Sequence, residues 1–180
     1  MKVMAFDLAT HSGWACGSSG EQPRSGVITL KKAGARREVA FANFVAWLQE
    51  RIPEHQPDLI VKEAPLALEA FHIVRSSEDN VRIQFGLHAI LEAMAERFGV
   101  DVLDAPMASV RKHFIGHSHM GERAKTKGAV VQRCHVLGYM PKDCMDDNRA
   151  DALAVWDWAC AVHGRQRPKE LVMFGEESRE

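Results

Sequence analysis

An excess of either charge is missing from this sequence: 23 Lys and Arg stand against 24 Asp and Glu, a formal net charge of -1. Proteins that hold a polyanion across a broad surface carry a clear basic excess, so any nucleic-acid contact here has to be a local patch. Long apolar runs are missing too. None approaches the roughly 20 residues that a membrane helix needs, and the opening MKVMAFDLAT lacks the basic-then-apolar layout of a secretory leader. These absences predict a soluble, cytoplasmic protein. Paired cysteines are also absent: Cys16, Cys134, Cys144 and Cys160 are scattered with no Cys-x-x-Cys, as expected of reduced thiols rather than a disulfide scaffold. Cys134, His135 and Cys144 fit no zinc pattern in which two donors share one tight turn. No internal repeat or second domain boundary interrupts the chain. At 180 residues and 46% hydrophobic, it is long enough for one buried core and short for two.

The apolar spacing predicts an α/β layout. Val3 to Leu8 reads as a buried strand, the Ser12-Gly13 step permits a turn, and Trp14-Ala15-Cys16 begins a returning strand. Arg24 to Leu30 makes a third, giving an antiparallel opening. Phe41, Phe44, Val45, Leu48 and Ile52 fall at helical spacing, and Pro53 is expected to close that helix before a strand over Asp58 to Lys62. A helix between two strands suggests a crossover and a parallel pair. An irregular, exposed stretch is predicted from Glu63-Ala64-Pro65 to Asn80, including Arg75, Ser76, Ser77, Glu78 and Asp79. Ile83, Leu87, Ile90, Leu91, Met94 and Phe98 then form one helical stripe that stops at Gly99. Val100 to Leu103 is a short strand, Ser109 can cap a brief helix through Phe114, and His117 to Glu122 is a polar loop. A helix from Arg123 to Leu137 ends at Gly138, and a last helix runs from about Asp147 to Val162.

Asp7 lies inside an apolar strand, between Phe6 and Leu8, where a carboxylate is expensive to desolvate unless a cation or a donor compensates. Glu63 ends the strand VKEAP, and strand C-termini in α/β sheets open onto binding crevices. Asp146, Asp147 and Asp151 cluster at the start of the last helix, and Asp147 and Asp151, four apart, share a face. Taken alone, Asp146 and Asp147 could simply favour a helix N-terminus, and Glu63 could be a surface strand end. Taken together, acids from three separate segments suit a divalent cation, which reverses their mutual repulsion. Oxygen ligands of this hardness favour Mg²⁺ or Mn²⁺ over zinc. Two such ions about 3.5 to 4 Å apart can align a water and stabilise the leaving oxygen in phosphodiester hydrolysis. The basic residues are segregated: from Arg111 to Arg133 lie Arg111, Lys112, Arg123, Lys125, Lys127 and Arg133 against Glu122 alone, with His113, His117, His119 and His135 as further donors. Such a run is usually a solvated helix face, but beside an acidic metal site it makes a phosphate track.

The ordered set of segments resembles the RuvC Holliday-junction resolvases of the ribonuclease-H-like superfamily. FDLATHSGWA is similar to their first-strand motif, VKEAP to their second acidic segment, DAPMASVRKHFIG with RAKTKGAVV to their basic stretch, and DDNRADALAVWDWA to their closing helix. The resemblance covers roughly Met1 to Val162. It implies a mixed central sheet, three antiparallel strands followed by parallel ones, flanked by helices. It implies a nuclease domain over residues 1–163 followed by a polar tail over 164–180, and a Mg²⁺-dependent endodeoxyribonuclease acting on branched DNA. Asp7, Glu63 and Asp151 would bind the metal ions, and Arg111 and one of Lys125 or Lys127 would hold substrate phosphates. Where the family often has an acid or histidine three residues before the last aspartate, this chain has Asn148, so Asp147 is taken as the fourth acid with Asn148 as the alternative. Leu66 stands where an aromatic is expected, and Phe71 comes later.

Three other readings compete. A sugar-kinase or actin-like ATPase needs two such domains and a second Gly-rich phosphate loop, which do not fit here. A ribonuclease-H-like nuclease acting on other structured DNA or RNA is closer. A non-catalytic nucleic-acid binder conflicts with the intact acid set. A four-way junction has approximate two-fold symmetry, so a resolvase is best built as a C2 dimer. The predicted interface is the helix from Val81 to Phe98, where Ile83, Phe85, Leu87, Ile90, Leu91 and Met94 cover more surface than one core-facing stripe needs.

Overall fold

Alternation along the first strand decides how the molecule layers. Val3 and Ala5 belong to one buried cluster and Met4 and Phe6 to another, because successive strand residues face opposite sides of a sheet. The computed structural model describes residues 1–65 and 78–164. It shows five strands, β1 (Lys2–Asp7), β2 (His11–Ser18), β3 (Arg24–Thr29), β4 (Leu59–Glu63) and β5 (Asp101–Ala105), in the order β3-β2-β1-β4-β5. The β1/β2 and β2/β3 pairs are antiparallel, and β1/β4 and β4/β5 are parallel. The mixed sheet expected from the sequence is therefore present.

Among the described residues, five helices cover it: α1 (Arg37–His55), α2 (Glu78–Arg97), α3 (Met107–Ile115), α4 (Arg123–Val136) and α5 (Asp147–His163). On one face, Phe44, Leu48 and Ile52 of α1 and Ile83, Leu87 and Leu91 of α2 close over Met4, Phe6 and Ile60. On the other, Val110 and Phe114 of α3, Val130 and Val131 of α4 and Leu153, Ala154 and Trp156 of α5 close over Val3, Ala5 and Val61. The second face also carries Asp7, Glu63 and Asp151.

Several boundaries differ from those expected. Pro53 lies inside the last turn of α1, which continues to His55 and leaves through Gln56 at φ 47. A proline there removes only one terminal hydrogen bond, and buried Ile52 holds the turn on the sheet. The short helix begins at Met107, not Ser109, because the Pro106 carbonyl accepts from the N–H groups of Ser109 at 2.9 Å and Val110 at 3.0 Å. Glu78, Asp79 and Asn80, expected in an irregular stretch, form the exposed first turn of α2, with Asp79 paired to Arg37 at 2.9 Å. Leu66, Phe71, Arg75, Ser76 and Ser77 lie outside the described residues, as does the tail from residue 165. Of the apolar set assigned to an interface, Ile83, Leu87, Leu91 and Met94 are buried in this chain's own core and Ile90 packs against it, whereas Phe85 is 38% exposed. No helix among the described residues is long and apolar enough to cross a membrane.

Candidate active site

The register of β1 against β4 builds the first half of the site. Phe6 pairs with Lys62 in the parallel ladder, so the residues that follow, Asp7 and Glu63, come abreast at the C-terminal ends of neighbouring strands. By strand alternation both share the face of Val3, Ala5 and Val61, on which α5 lies. The Glu63 carboxyl stands close enough to Asp7 to act on it directly. The turn after Asp7 is fixed by Ser12, whose fully buried Oγ accepts from the Ala9 N–H at 3.1 Å and donates to the Ala9 carbonyl at 2.6 Å. Gln84 of α2 donates to the Leu8 carbonyl at 2.9 Å. Neither role was legible in the sequence, since a serine in a turn and a glutamine on a helix carry no distinguishing pattern.

The start of α5 supplies the second half. Asp146 is the helix cap, its Oδ1 accepting from the Arg149 N–H at 2.9 Å. Asp147, one residue on, is turned to Lys127 of α4, which donates to its Oδ2. Asp151, one turn later, is only 6% exposed and faces the strand acids. Asn148 meets the sheet through its backbone: a Cβ on Gly13 of β2 would stand 1.9 Å from the Asn148 carbonyl oxygen. Gly13 therefore sits in an extended strand, not in the turn the sequence suggested, and its missing side chain lets α5 approach closely enough to bring Asp151 to Asp7.

The electrostatics follow from this crowding. Burial, then repulsion from Glu63 and Asp151, pushes the Asp7 carboxyl well above the ordinary aspartate range. Burial pushes Asp151 up to about 6, against the pull of Lys127 and Arg111. Asp147 moves the other way, held down by its hydrogen bond from Lys127. Among the described residues no three His, Cys, Asp or Glu side chains already stand close enough to enclose an ion. That openness is what mutual repulsion dictates for acids without a cation between them, and Asp147 takes a lysine partner. The donor set itself, carboxylate oxygens on two strand ends and one rigid helix, suits a hard divalent cation such as Mg²⁺ or Mn²⁺.

The basic segment divides. Arg111 and Lys127 reach the acids, both acting on Asp151, and the Arg111 Nε is buried with no hydrogen-bond partner. Lys112 and Lys125 are exposed, and Lys125 pairs with Glu122 at 3.6 Å. Two of the histidines counted as phosphate donors have internal partners instead: His113 contacts Asp157 and His135 the Cys144 carbonyl, each at 2.8 Å. All four cysteines are free, with Cys134 buried against the Ala150 carbonyl.

No protein-family model matches the chain, and no curated protein matches it. Solved structures do. Thermus thermophilus RuvC superimposes with a TM-score of 0.66 at 17% identity, over 89% of this chain and 93% of that one. The same protein in complex with a Holliday junction substrate gives a TM-score of 0.67 at 17% identity over the same shares. The yeast mitochondrial Holliday junction resolvase Ydc2 gives 0.59 at 13% identity, over 87% of this chain and 76% of that one. With its mixed sheet, its paired strand-end acids and its closing helix, the chain has the RuvC-like form of the ribonuclease-H-like fold.

Proposed function

We propose that this protein is a Mg²⁺-dependent endonuclease that cuts branched DNA, with four-way junctions as its principal substrate. The observation that carries the reading is the convergence of Asp7, Glu63 and Asp151 from two strand ends and a buried helix, in a fold whose solved examples include a resolvase bound to a Holliday junction. Asp7, Glu63 and Asp151 would hold the metal, with Asp147 as the fourth acid. A Mg²⁺ held there would supply charge neutralisation at the attacked phosphate and lower the pKa of a bound water. The chain's own residues bind and orient. Arg111 and Lys127 stand beside the acids as phosphate donors, and Lys112 and Lys125 extend the positive surface along α3 and α4 for the backbone further out.

Resolution of a junction needs two nicks, and so two equivalent sites in a C2 dimer. The outward row of α2, with exposed Phe85, Ala89 and Ala93 four residues apart, is the surface proposed for it. The deciding experiment is a nicking assay on four-way, Y-shaped and linear DNA with Mg²⁺ or Mn²⁺. Paired nicks on the four-way substrate are expected, and equal cutting of linear duplex, or none on any substrate, would overturn the reading.

A further inference from the structure

Lys127 stands apart from the other lysines at this end of the molecule. Its side chain is 25% exposed, it donates to Asp147, and its charge acts on Asp7 and Asp151 as well. It projects from α4 one turn before buried Val130 and Val131, so its stem is fixed against α5. Lys125, two residues earlier, points to solvent and pairs with Glu122. One ammonium group thus lies among the same carboxylates that would hold a divalent ion, and in direct contact with one of them.

We infer that Lys127 is an exchangeable internal counter-ion: it occupies Asp147 in the metal-free protein, and a divalent ion can use Asp147 only by displacing it. The inference rests on the metal-centre reading above and adds an order of events to it. The Lys127–Asp147 contact neutralises one acid of a cluster whose members otherwise repel, so it stabilises the folded chain before metal arrives. It also opposes metal, since ammonium and cation compete for one carboxylate. Once displaced, the ammonium remains tethered beside Asp151, where a strand phosphate is its natural partner. Metal and DNA would then each favour the other's binding, because each removes a reason for Lys127 to stay on Asp147.

The test is a double-mutant cycle read by direct titration of Mn²⁺, with free ion counted by electron paramagnetic resonance and no DNA present. Wild type, Lys127→Met, Asp147→Asn and the double variant are compared, with Lys127→Arg as the charge-retaining control and circular dichroism confirming that each is folded. Lys127→Met is expected to tighten Mn²⁺ binding roughly tenfold when Asp147 is present and to have little effect in the Asp147→Asn background. Lys127→Arg should leave affinity close to wild type. Equal tightening in both backgrounds would reduce Lys127 to a distant charge and overturn the exchange, as would no tightening at all. If wild type binds Mn²⁺ but the variants do not differ, this inference fails and the metal centre stands; if none of the proteins binds Mn²⁺, the metal centre itself fails.

Discussion

Two raised carboxyls leave a thermodynamic signature that can be read without substrate. The folded chain holds the protons of Asp7 and Asp151 more tightly than the unfolded chain does. The stabilisation from these sites is therefore fully present below the ordinary value of 3.8 and, for Asp151, is lost as pH rises through about 6. Metal-free protein should lose up to roughly 3 kcal/mol from Asp151 alone between pH 4 and 8, and Mg²⁺ should restore much of it. Asp151→Asn or Asp7→Asn is expected to abolish cleavage while raising the metal-free melting temperature at pH 8 by a few degrees. Turnover retained in either variant, or a fall in melting temperature, would contradict the site. His88 works with the opposite sign. Buried on α2 beside Lys62, with both ring nitrogens unpartnered, it is pushed down to about 4. Its contribution is present above the ordinary histidine value of 6.5 and lost as pH falls through about 4. His88→Leu should therefore flatten the acid limb of a stability profile from urea unfolding without lowering stability at pH 7; a loss of more than about 1 kcal/mol at pH 7 would show a further role for the ring.

At the scale of elements, the distance between α5 and the sheet decides whether the acids meet. Gly13→Ala places a methyl against the Asn148 carbonyl, and α5 must lift to accommodate it. Loss of about 2 kcal/mol or more of stability is expected, with a drop in cleavage of at least tenfold because Asp151 moves away from Asp7. Wild-type activity in Gly13→Ala would show that the close approach is not needed. The same geometry ranks the lysines of α4. Lys127→Ala should reduce junction binding and cleavage more than Lys125→Ala, whose side chain reaches only Glu122. Equal effects, measured as affinity against salt concentration, would make both part of one diffuse surface. Asp147→Asn compared with Asn148→Ala identifies the fourth ligand, since only the true ligand's loss should raise the Mg²⁺ requirement.

For the whole molecule, symmetry decides whether one binding event can yield two nicks. Among the described residues, most of the apolar stripe of α2 covers its own sheet, whereas Phe85, Ala89 and Ala93 form an exposed row. That row is narrower than a large permanent interface, so the dimer is expected at micromolar concentration and to be strengthened by junction DNA, which bridges the two sites. Light scattering should report twice the mass of one chain, and Ala89→Arg, a change at an exposed position that leaves the core untouched, should halve it. A wild-type mass near one chain even with junction DNA present would remove the paired-nick mechanism.

Periodicity in the sequence was enough to determine the mixed sheet, the helices and the segments that carry Asp7, Glu63, Asp147 and Asp151. Strand and helix patterns record which residues must leave water, and an acid inside such a pattern stands out against it. The boundaries that moved, at Pro53, Ser109 and Glu78, did so where packing or a carbonyl outweighed local propensity. The tertiary structure decided what depends on position across the chain. Asp7 and Glu63 lie abreast because of a parallel register formed over some fifty intervening residues, and Lys127 was separated from Lys125 only by the side of α4 that packs on α5. Gly13 was readable as a turn residue but acts as a gap for α5. Spacing along a chain fixes which face of its own element a residue occupies; what that face meets is set by partners distant in sequence, and the contacts that make this site are of that kind.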